Sequence, residues 1–365
     1  MRPLRVIVAG GGTGGHLFPG IAVARELLQR LPEAIVTFAG TARGIEARVI
    51  PREGFELDVI RSAGLKGTSP GALARGLLLL PLGGLDAWRI LSKRSPDVVI
   101  GVGGYASGPV VLAAAARRIP TLLMEQNAVP GLTNRTLAHV VDAAAVTFDE
   151  TVTYFGRRGF VTGNPVRGEF FEDTAGGQPT VQGGATAPRV LIFGGSQGAH
   201  AINMAMVEAA PKLAAHAGGL AITHQTGERD LARVREAYET AGLEARVEPF
   251  LFAMHREVIA ADFVVSRAGA TSIAELTAAS KPALLIPLPT AADDHQRRNA
   301  EVLARAGAAE VIEQKTLTGA ALADRIIALA TDAPRRAAMA TAARALARPD
   351  ATAAIADKVL ELAGR

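Results

Sequence analysis

The chain has 365 residues, of which 49% are hydrophobic and 20% are charged, and it contains no cysteine. This length suits two domains that each bury a core, and the hydrophobic content excludes wholesale disorder. The absence of cysteine excludes a disulfide framework and a thiolate metal site, which is typical of a cytoplasmic protein. With 39 Lys and Arg against 35 Asp and Glu, the net charge of +4 is too small to indicate a nucleic-acid partner, but it suits anionic small molecules or an anionic membrane surface.

The apolar segments are too short to cross a bilayer. The longest uncharged apolar run, residues 76–85, is interrupted by Pro81, Gly83 and Gly84 and falls well short of the roughly 20 residues that a span needs. The first residues lead into a predicted strand and show no small-residue cleavage site, so we expect no secretory signal.

Short apolar runs of strand length alternate with longer helical patterns, which predicts α/β domains with parallel sheets. One series of predicted strands covers residues 6–9, 36–39, 57–60, 98–102, 121–125 and 143–146. A second series covers residues 190–193, 221–224, 247–249, 263–265, 283–286 and 309–312. The restart predicts two domains, residues 1–163 and 164–349, and the final helix, residues 350–365, could pack back on the first domain.

A glycine loop, Gly10 to His16, connects the first predicted strand to a helical pattern. Glycines expose main-chain N–H groups, and a helix N-terminus favours negative charge, so the loop predicts a site for an anion or a polar sugar. The spacing also matches a dinucleotide site, but Glu46 comes too late after the second strand to hold a ribose. A P-loop would need a Lys where His16 stands. A turn that only lets strand and helix pack closely remains a third interpretation.

The second series repeats this layout. Residues 194–198 form another glycine loop after a strand, and later glycine turns follow strands at residues 101–105 and 266–270. Such turns lie at the carboxyl ends of parallel strands, where ligands bind, and two edges facing each other would make one cleft. We interpret residues 162–167 as the hinge, because proline fixes φ there, and residues 174–188 as a mobile loop without chemistry.

The segment from Ser266 to Asn299 predicts a nucleotide site. Ala270 to Ser272 open a helix whose N–H groups could hold a diphosphate, and the carboxylate of Glu275 could accept both ribose hydroxyls. Alternatively, Glu275 only interacts favourably with its own helix dipole. Gln296 and Asn299 share one face of a later helix, and amides suit sugar hydroxyls. No third ligand accompanies Asp293 and His295 at helical spacing, so we predict no metal.

Seven motifs in this order and spacing resemble the MurG glycosyltransferases over essentially the whole chain: GGGTGGHLFPGIAVA, GVGGYASGP, MEQNAVPGLTNR, TGNPVR, FGGSQGA, RAGATSIAEL and DxxQxxNA. The resemblance implies the GT-B fold, with two Rossmann-like parallel-sheet domains separated by a cleft and the donor held mainly by the second. It also implies transfer of N-acetylglucosamine from UDP-GlcNAc to undecaprenyl-pyrophosphoryl-MurNAc-pentapeptide, which converts lipid I to lipid II, with no cofactor.

The resemblance also implies roles for individual residues. The donor-binding positions are Thr13, Gly14, Gly15, Asn127, Arg167, Ser196, Leu251, Ala270, Thr271, Ser272, Ile273, Ala274, Glu275 and Gln296. Tyr105 and Gln126, with Glu125, are expected on the acceptor side. The turn at residues 289–292 departs mildly from the family pattern because it is small and uncharged.

The implied reaction needs a base, because the acceptor C4 hydroxyl must lose a proton as it attacks the anomeric carbon and UDP leaves. We expect His16 to be this base, since an imidazole changes protonation state near neutral pH, with Glu125 as the second candidate. Helix N-termini and Arg167 would stabilise the leaving diphosphate.

A lipid acceptor implies a peripheral protein on the cytoplasmic side of the cell membrane, near other cell-wall synthesis proteins. Residues 73–91 offer an apolar segment with Trp88, among cations at Arg75, Arg89, Lys93 and Arg94. A helix packed on the sheet is the alternative for this segment. For the activity, the alternatives are a GT-B enzyme with another acceptor such as a diacylglycerol, a UDP-GlcNAc epimerase, and a noncatalytic nucleotide-sugar-binding subunit.

Overall fold

The structure is a computed structural model that describes residues 2–62, 70–171, 187–195, 197–216 and 218–365, with only the backbone for residues 70–78 and 80. The chain divides into two compact units. The first contains Met1–Val166 together with Arg348–Arg365, and the second contains Arg167–Ala347. The change of unit at residue 166 falls three residues after the boundary expected from the sequence.

The first unit is built on a seven-stranded parallel sheet with the order β3-β2-β1-β4-β5-β6-β7. Its strands are β1 (Arg5–Gly10), β2 (Ile35–Gly40), β3 (Glu56–Val59), β4 (Val98–Gly103), β5 (Thr121–Glu125), β6 (Ala143–Val146) and β7 (Gly159–Val161). The helices between them are α1 (Gly14–Arg30), α2 (Glu46–Arg52), α3 (Pro70–Arg94), α4 (Ser107–Ala116) and α5 (Leu132–Leu137).

The second unit repeats this architecture with a six-stranded parallel sheet in the order β10-β9-β8-β11-β12-β13. Its strands are β8 (Arg189–Phe193), β9 (Ala221–Gln225), β10 (Ala245–Glu248), β11 (Phe263–Ser266), β12 (Ala283–Leu285) and β13 (Ala309–Val311). Its helices are α6 (His200–Ala214), α7 (Leu231–Ala241), α8 (Met254–Ala260), α9 (Ala270–Ala278), α10 (His295–Arg305), α11 (Gly319–Thr331) and α12 (Ala333–Ala345). The predicted α/β class with two parallel-sheet domains is confirmed.

Alternating residues of β1 bury both faces of the first sheet. Val6 and Val8 join one hydrophobic cluster, whereas Ile7 and Ala9 join the cluster on the other face. A strand covered on both sides reads as a continuous apolar run, which is why β1 was recognisable from the sequence. The final helix α13 (Ala351–Leu362) packs on α1 and places Ile355 and Val359 in the cluster that contains Val6.

All twelve predicted strands are present, with ends shifted by at most two residues. The short strand β7 was not predicted, because three partly buried residues at a sheet edge carry almost no pattern. Most of the loop predicted at residues 174–188 lies outside the described residues. Across the described part of the chain, no helix combines the length and hydropathy that a bilayer crossing requires.

Candidate active site

The two glycine turns of the first unit meet at one point of the sheet. Strands β1 and β4 are neighbours, although β2 and β3 separate them in sequence, so their carboxyl ends form a topological switch point, where open α/β sheets bind ligands. The backbones touch there: a Cβ added at Gly10 would lie 2.4 Å from the carbonyl oxygen of Gly103. One added at Gly104 would lie 2.3 Å from that of Gly11. Only glycine permits this approach.

The glycine loop leads directly into α1. Thr13 is the extended residue before the helix, and Gly14 and Gly15 begin it. No acidic side chain stands in the first turn, and the Thr13 side chain makes no capping hydrogen bond. The first N–H groups of a helix have no partner within the helix, so Gly14 and Gly15 can donate to an anion. Thr13 is exposed and the two glycines are partly exposed, as a binding site requires.

The hydrogen bonds around His16 define its tautomer. The Gln126 side-chain amide donates from Nε2 to the carbonyl oxygen of Val102 over 3.2 Å, so its Oε1 points the other way and lies 2.9 Å from His16 Nδ1. Because Oε1 can only accept, the His16 Nδ1 must carry the proton. The unprotonated Nε2 of the partly exposed imidazole is therefore left as a proton acceptor.

The same contacts correct the role expected for Gln126. This residue is only 2% exposed and both ends of its amide are occupied, so it lies behind His16 and cannot form part of an acceptor wall. The Tyr105 side chain is 50% exposed, and its acceptor-side role stays a prediction. Its carbonyl oxygen accepts a hydrogen bond from the Ser62 hydroxyl over 2.8 Å.

Glu125 organises the loop after β5 from a buried position. One carboxylate oxygen accepts from the main-chain and side-chain nitrogens of Asn127, at 3.0 and 3.2 Å. The other accepts from the Gly131 N–H and the Asn134 amide, at 3.1 and 2.8 Å. A carboxylate has about four acceptor positions, and four donors occupy them here. At 3% exposure, Glu125 is therefore a loop anchor, and the geometry favours His16 as the base.

In the second unit, the loops after β8 and β9 pack backbone against backbone. A Cβ added at Gly198 would lie 1.8 Å from the carbonyl oxygen of Thr226, and one added at Gly227 would lie 2.1 Å from that of Gln197. Both glycines have positive φ angles, 73° and 75°. The turns after these two neighbouring strands thus lie in direct contact at the carboxyl edge of the sheet. Ser196, predicted to contact the donor, lies outside the described residues.

The N-terminus of α9 combines free donors with an unpartnered hydroxyl. Gly269 precedes the helix in an extended conformation, no acidic residue stands in the first turn, and the first helical hydrogen bond is that of the Ile273 N–H. Within the described residues, the enclosed Oγ1 of Thr271 has no hydrogen-bond partner. The N–H groups of Ala270, Thr271 and Ser272 and this hydroxyl form a donor set that suits a diphosphate. Ile273 and Ala274 are buried one turn further in.

Glu275 lies on the same helix, and its surroundings change the pKa of its carboxyl group strongly. Burial raises its pKa to about 7, although the positive charge of Arg167 works to lower it. The Arg167 guanidinium lies 5.3 Å over the ring of Phe170 and 3.6 Å from Glu169, and its side chain is 57% exposed. A carboxyl group whose pKa is perturbed by burial and by a specific cation is typical of a binding site.

The two amide side chains predicted to share one helix face, Gln296 and Asn299, differ in their surroundings. Gln296 accepts from the Leu288 N–H at its Oε1 over 3.0 Å, which leaves its NH₂ group for a ligand. Asn299 is fully buried, and its amide donates to the carbonyl oxygen of Ala268 over 3.3 Å. Asn299 therefore supports the turn before α9 and does not face a sugar.

Two buried side chains to which the sequence analysis gave no role support loops, one in each unit. The buried amide of Gln225 donates to the Gly195 carbonyl oxygen over 2.8 Å and accepts from the Leu251 N–H over 3.2 Å. Because the Leu251 N–H is occupied, its carbonyl group is the main-chain group that a nucleobase could contact. In the first unit, the Glu46 carboxylate accepts from the Gly12 N–H over 2.9 Å. The sequence placed Glu46 too far from its strand for a ribose, and nothing in the pattern indicated that it turns back to the loop.

An apolar surface on α3 and α4 carries exposed Leu85, Trp88 and Leu112, at 54, 51 and 54% exposure. The Arg117 guanidinium lies 5.0 Å over the Trp88 ring. The expected cations at the end of α3 are partly neutralised, because Lys93 and Arg94 form ion pairs with Asp58 and Arg94 also pairs with Glu56. Arg117 is therefore the cation placed at Trp88, Arg89 is the next residue along α3, and Arg75 lies where side chains are not described.

Comparison with known proteins identifies relatives of the entire chain. Residues 6–146 match the glycosyltransferase family 28 N-terminal domain, and residues 189–355 match the glycosyltransferase family 28 C-terminal domain. A UDP-N-acetylglucosamine–N-acetylmuramyl-(pentapeptide) pyrophosphoryl-undecaprenol N-acetylglucosamine transferase of an Anaeromyxobacter species is 50% identical over 363 residues, which cover 99% of this chain and 94% of that protein. The transferase of the same name from Pelobacter propionicus is 47% identical, over 98% of this chain and 99% of that protein. The structure is also similar to the crystal structure of Acinetobacter baumannii MurG, with a TM-score of 0.83 and 31% identity, over 98% of this chain and 100% of that one.

Proposed function

Since this chain belongs to the MurG family of glycosyltransferases, we propose that it transfers N-acetylglucosamine from UDP-GlcNAc to the C4 hydroxyl of undecaprenyl-pyrophosphoryl-MurNAc-pentapeptide, with inversion at the anomeric carbon. It is a hexosyltransferase with the predicted GT-B fold. The observation that carries the proposal is the 50% identity over nearly the full length of a relative with this name, because both units and every glycine loop fall within the aligned region.

The His16 imidazole is the group best placed to activate the acceptor. Its Nδ1 proton is held by Gln126, so Nε2 can take the proton of the attacking hydroxyl. The bond from the acceptor oxygen to the anomeric carbon forms while the bond from that carbon to the β-phosphate oxygen breaks. The proton moves to His16 and the electron pair leaves with UDP. Glu125 supports the loop that carries Asn127, which we assign to the donor sugar.

The leaving diphosphate gains its stabilisation from fixed donors. The N–H groups at the start of α9, the Thr271 hydroxyl and Arg167 supply partial and full positive charge without rearranging during the reaction. Glu275 accepts the ribose hydroxyls, the Leu251 carbonyl group receives the uracil N–H, and the Gln296 NH₂ group binds a sugar hydroxyl. Among the described residues, no three His, Asp or Glu side chains gather in a way that could hold a metal ion.

We also place the protein on the cytoplasmic surface of the cell membrane, where its lipid-linked acceptor is found. The support is the apolar surface of Leu85, Trp88 and Leu112, with the Arg117 guanidinium over the Trp88 ring. A tryptophan ring next to cations suits the interface of an anionic leaflet, with the apolar side chains in the acyl boundary. Cell-wall synthesis proteins that act on the same lipid are expected neighbours.

The test is UDP release from UDP-GlcNAc, measured with and without a lipid I analogue in a buffer freed of metal ions. We expect release only with the analogue, and none with a matched analogue that lacks the C4 hydroxyl. Release that needs no acceptor, release with diacylglycerol alone, or release with the 4-deoxy analogue would each contradict the proposed acceptor chemistry.

A further inference from the structure

Glu46, at the start of α2, fills a space that three glycines leave open. A Cβ added at Gly11 would lie 2.4 Å from the Glu46 Cδ, one at Gly44 would lie 2.1 Å from its Oε2, and one at Gly40 would lie 2.6 Å from its Cγ. The residue is 1% exposed. A carboxylate buried so completely is costly unless hydrogen bonds satisfy it, so its partners determine what it does.

Those partners belong to the glycine loop and to the turn after β2. Oε2 accepts from the Gly12 N–H over 2.9 Å. Oε1 accepts from the N–H and the hydroxyl of Thr41, over 2.9 and 2.7 Å. Burial by itself would raise the pKa of Glu46, but these hydrogen bonds outweigh it, and the pKa lies below its ordinary value. The carboxylate is therefore ionised at neutral pH and its hydrogen bonds are charge-assisted, the stronger kind.

The glycine loop depends on hydrogen bonds from residues outside it, such as that of Glu46. Gly10, Gly11 and Gly12 all have positive φ angles, 149°, 148° and 87°, and they have no side chains that could fix the backbone. Gly12 immediately precedes Thr13, and His16 follows in the first turn of α1. In dinucleotide-binding proteins, the acidic residue after the second strand holds the ligand's ribose. Here the acid lies further on and binds the protein's own loop.

We propose that Glu46 is a positioning residue: its carboxylate fixes the glycine loop, so that the first N–H groups of α1 and the His16 imidazole are set for sugar transfer. Glu46 touches no substrate. This role rests on the proposed function, because it acts through His16. The uridine part of the donor is assigned to the second unit. Loss of the Glu46 hydrogen bond to the glycine loop should therefore impair the transfer step far more than nucleotide binding.

The direct test uses Glu46→Gln, which keeps the shape but replaces one acceptor oxygen with an NH₂ group, so that either the Gly12 N–H or the Thr41 N–H loses its acceptor. We expect kcat to fall about tenfold or more, with the Kd for UDP within about twofold of the wild type. Glu46→Asp, with its charge but a shorter reach, should recover part of kcat. Glu53→Gln is the matched control, since Glu53 ends the same helix in a surface ion pair with Arg25, and it should leave kcat unchanged.

A second measurement does not depend on activity. Hydrogen–deuterium exchange should show faster uptake in residues 10–16 of Glu46→Gln, and unchanged uptake in residues 266–280 of the other unit. If Glu46→Gln does not fold, Thr41→Val removes one of the three hydrogen bonds, and a smaller rise in uptake and fall in kcat are expected. Three results in Glu46→Gln or Thr41→Val would overturn the inference: a kcat equal to that of the wild type, unchanged exchange in the glycine loop, or a loss of UDP binding as large as the loss of kcat. If the wild-type protein releases no UDP with the acceptor, the proposed function is refuted. Faster exchange of residues 10–16 in Glu46→Gln than in the wild type would still show that Glu46 fixes the glycine loop.

Discussion

The pH dependence of nucleotide binding follows from Glu275. Burial raises the pKa of this carboxyl group to about 7, against the opposing charge of Arg167. Near pH 7, about half of the molecules therefore carry a protonated Glu275 before ligand binds. Only the ionised carboxylate can accept hydrogen bonds from both ribose hydroxyls at full strength.

The magnitude follows from the ionised fraction. With a pKa of about 7, that fraction rises from about 0.1 at pH 6 to about 0.9 at pH 8. If the diol binds only the ionised form, the contribution of the ribose hydroxyls to UDP affinity becomes about tenfold larger across this range. An unperturbed glutamate would be ionised throughout, and it would give no change.

The assay is titration calorimetry with UDP and with its 2′,3′-dideoxy analogue, at pH 6, 7 and 8. Ionisation of the phosphates affects both ligands alike, so the ratio of the two dissociation constants isolates the ribose hydroxyls. We expect this ratio to change about tenfold in the wild type and to stay constant in Glu275→Gln. A constant ratio in the wild type, or the same slope in the variant, would refute the reasoning.

Two further predictions concern the membrane surface and the stability of the second unit. The chain has one tryptophan, so binding to vesicles that contain anionic phospholipid should shift the fluorescence of Trp88 to shorter wavelengths. Leu85→Ser should weaken this binding. The control Ile35→Ser, at a residue exposed elsewhere in the first unit, should leave it unchanged. Equal binding to zwitterionic vesicles would contradict the expected attraction between the protein's cations and anionic lipid. Burial lowers the pKa of His224 to about 3, so between pH 3 and 6.5 the unfolded chain binds more protons and stability is lost as the pH falls. Urea unfolding should show the free energy of unfolding decreasing by up to about 1.4 kcal/mol per pH unit below pH 6.5, and His224→Gln should remove that slope; an equal slope in the variant would show that other groups cause it.

The sequence was informative wherever local pattern dictates structure. Buried strands such as β1 and β8 appear as unbroken apolar runs, and the glycine loops follow them directly, so the parallel sheets and the positions of the glycine turns were predictable. The helix starts near residues 13–15 and 270–275 were predictable for the same reason, because each helical pattern comes directly after an apolar strand and a glycine turn.

Contacts between distant residues were not predictable. Glu125 was a plausible base until the structure surrounded it with four donors, two of them from Gly131 and from Asn134 of α5. Gln126 was assigned to the acceptor, but packing against β4 turns its amide towards His16. The hold of Glu46 on Gly12 depends on the tertiary approach of α2 to the glycine loop, across 34 residues of sequence.

The most direct test of the central claim, that His16 takes the acceptor proton, compares kcat with donor affinity in His16→Ala. We predict that turnover with UDP-GlcNAc and a lipid I analogue falls by about 10²-fold or more, while the Kd for UDP-GlcNAc stays within about threefold of the wild type. Gln126→Leu, which removes the group that fixes the tautomer, should lower kcat in the same direction but less. Retained turnover in His16→Ala, or a collapse of donor affinity that accounts for the lost activity, would contradict the assignment of His16 as the base.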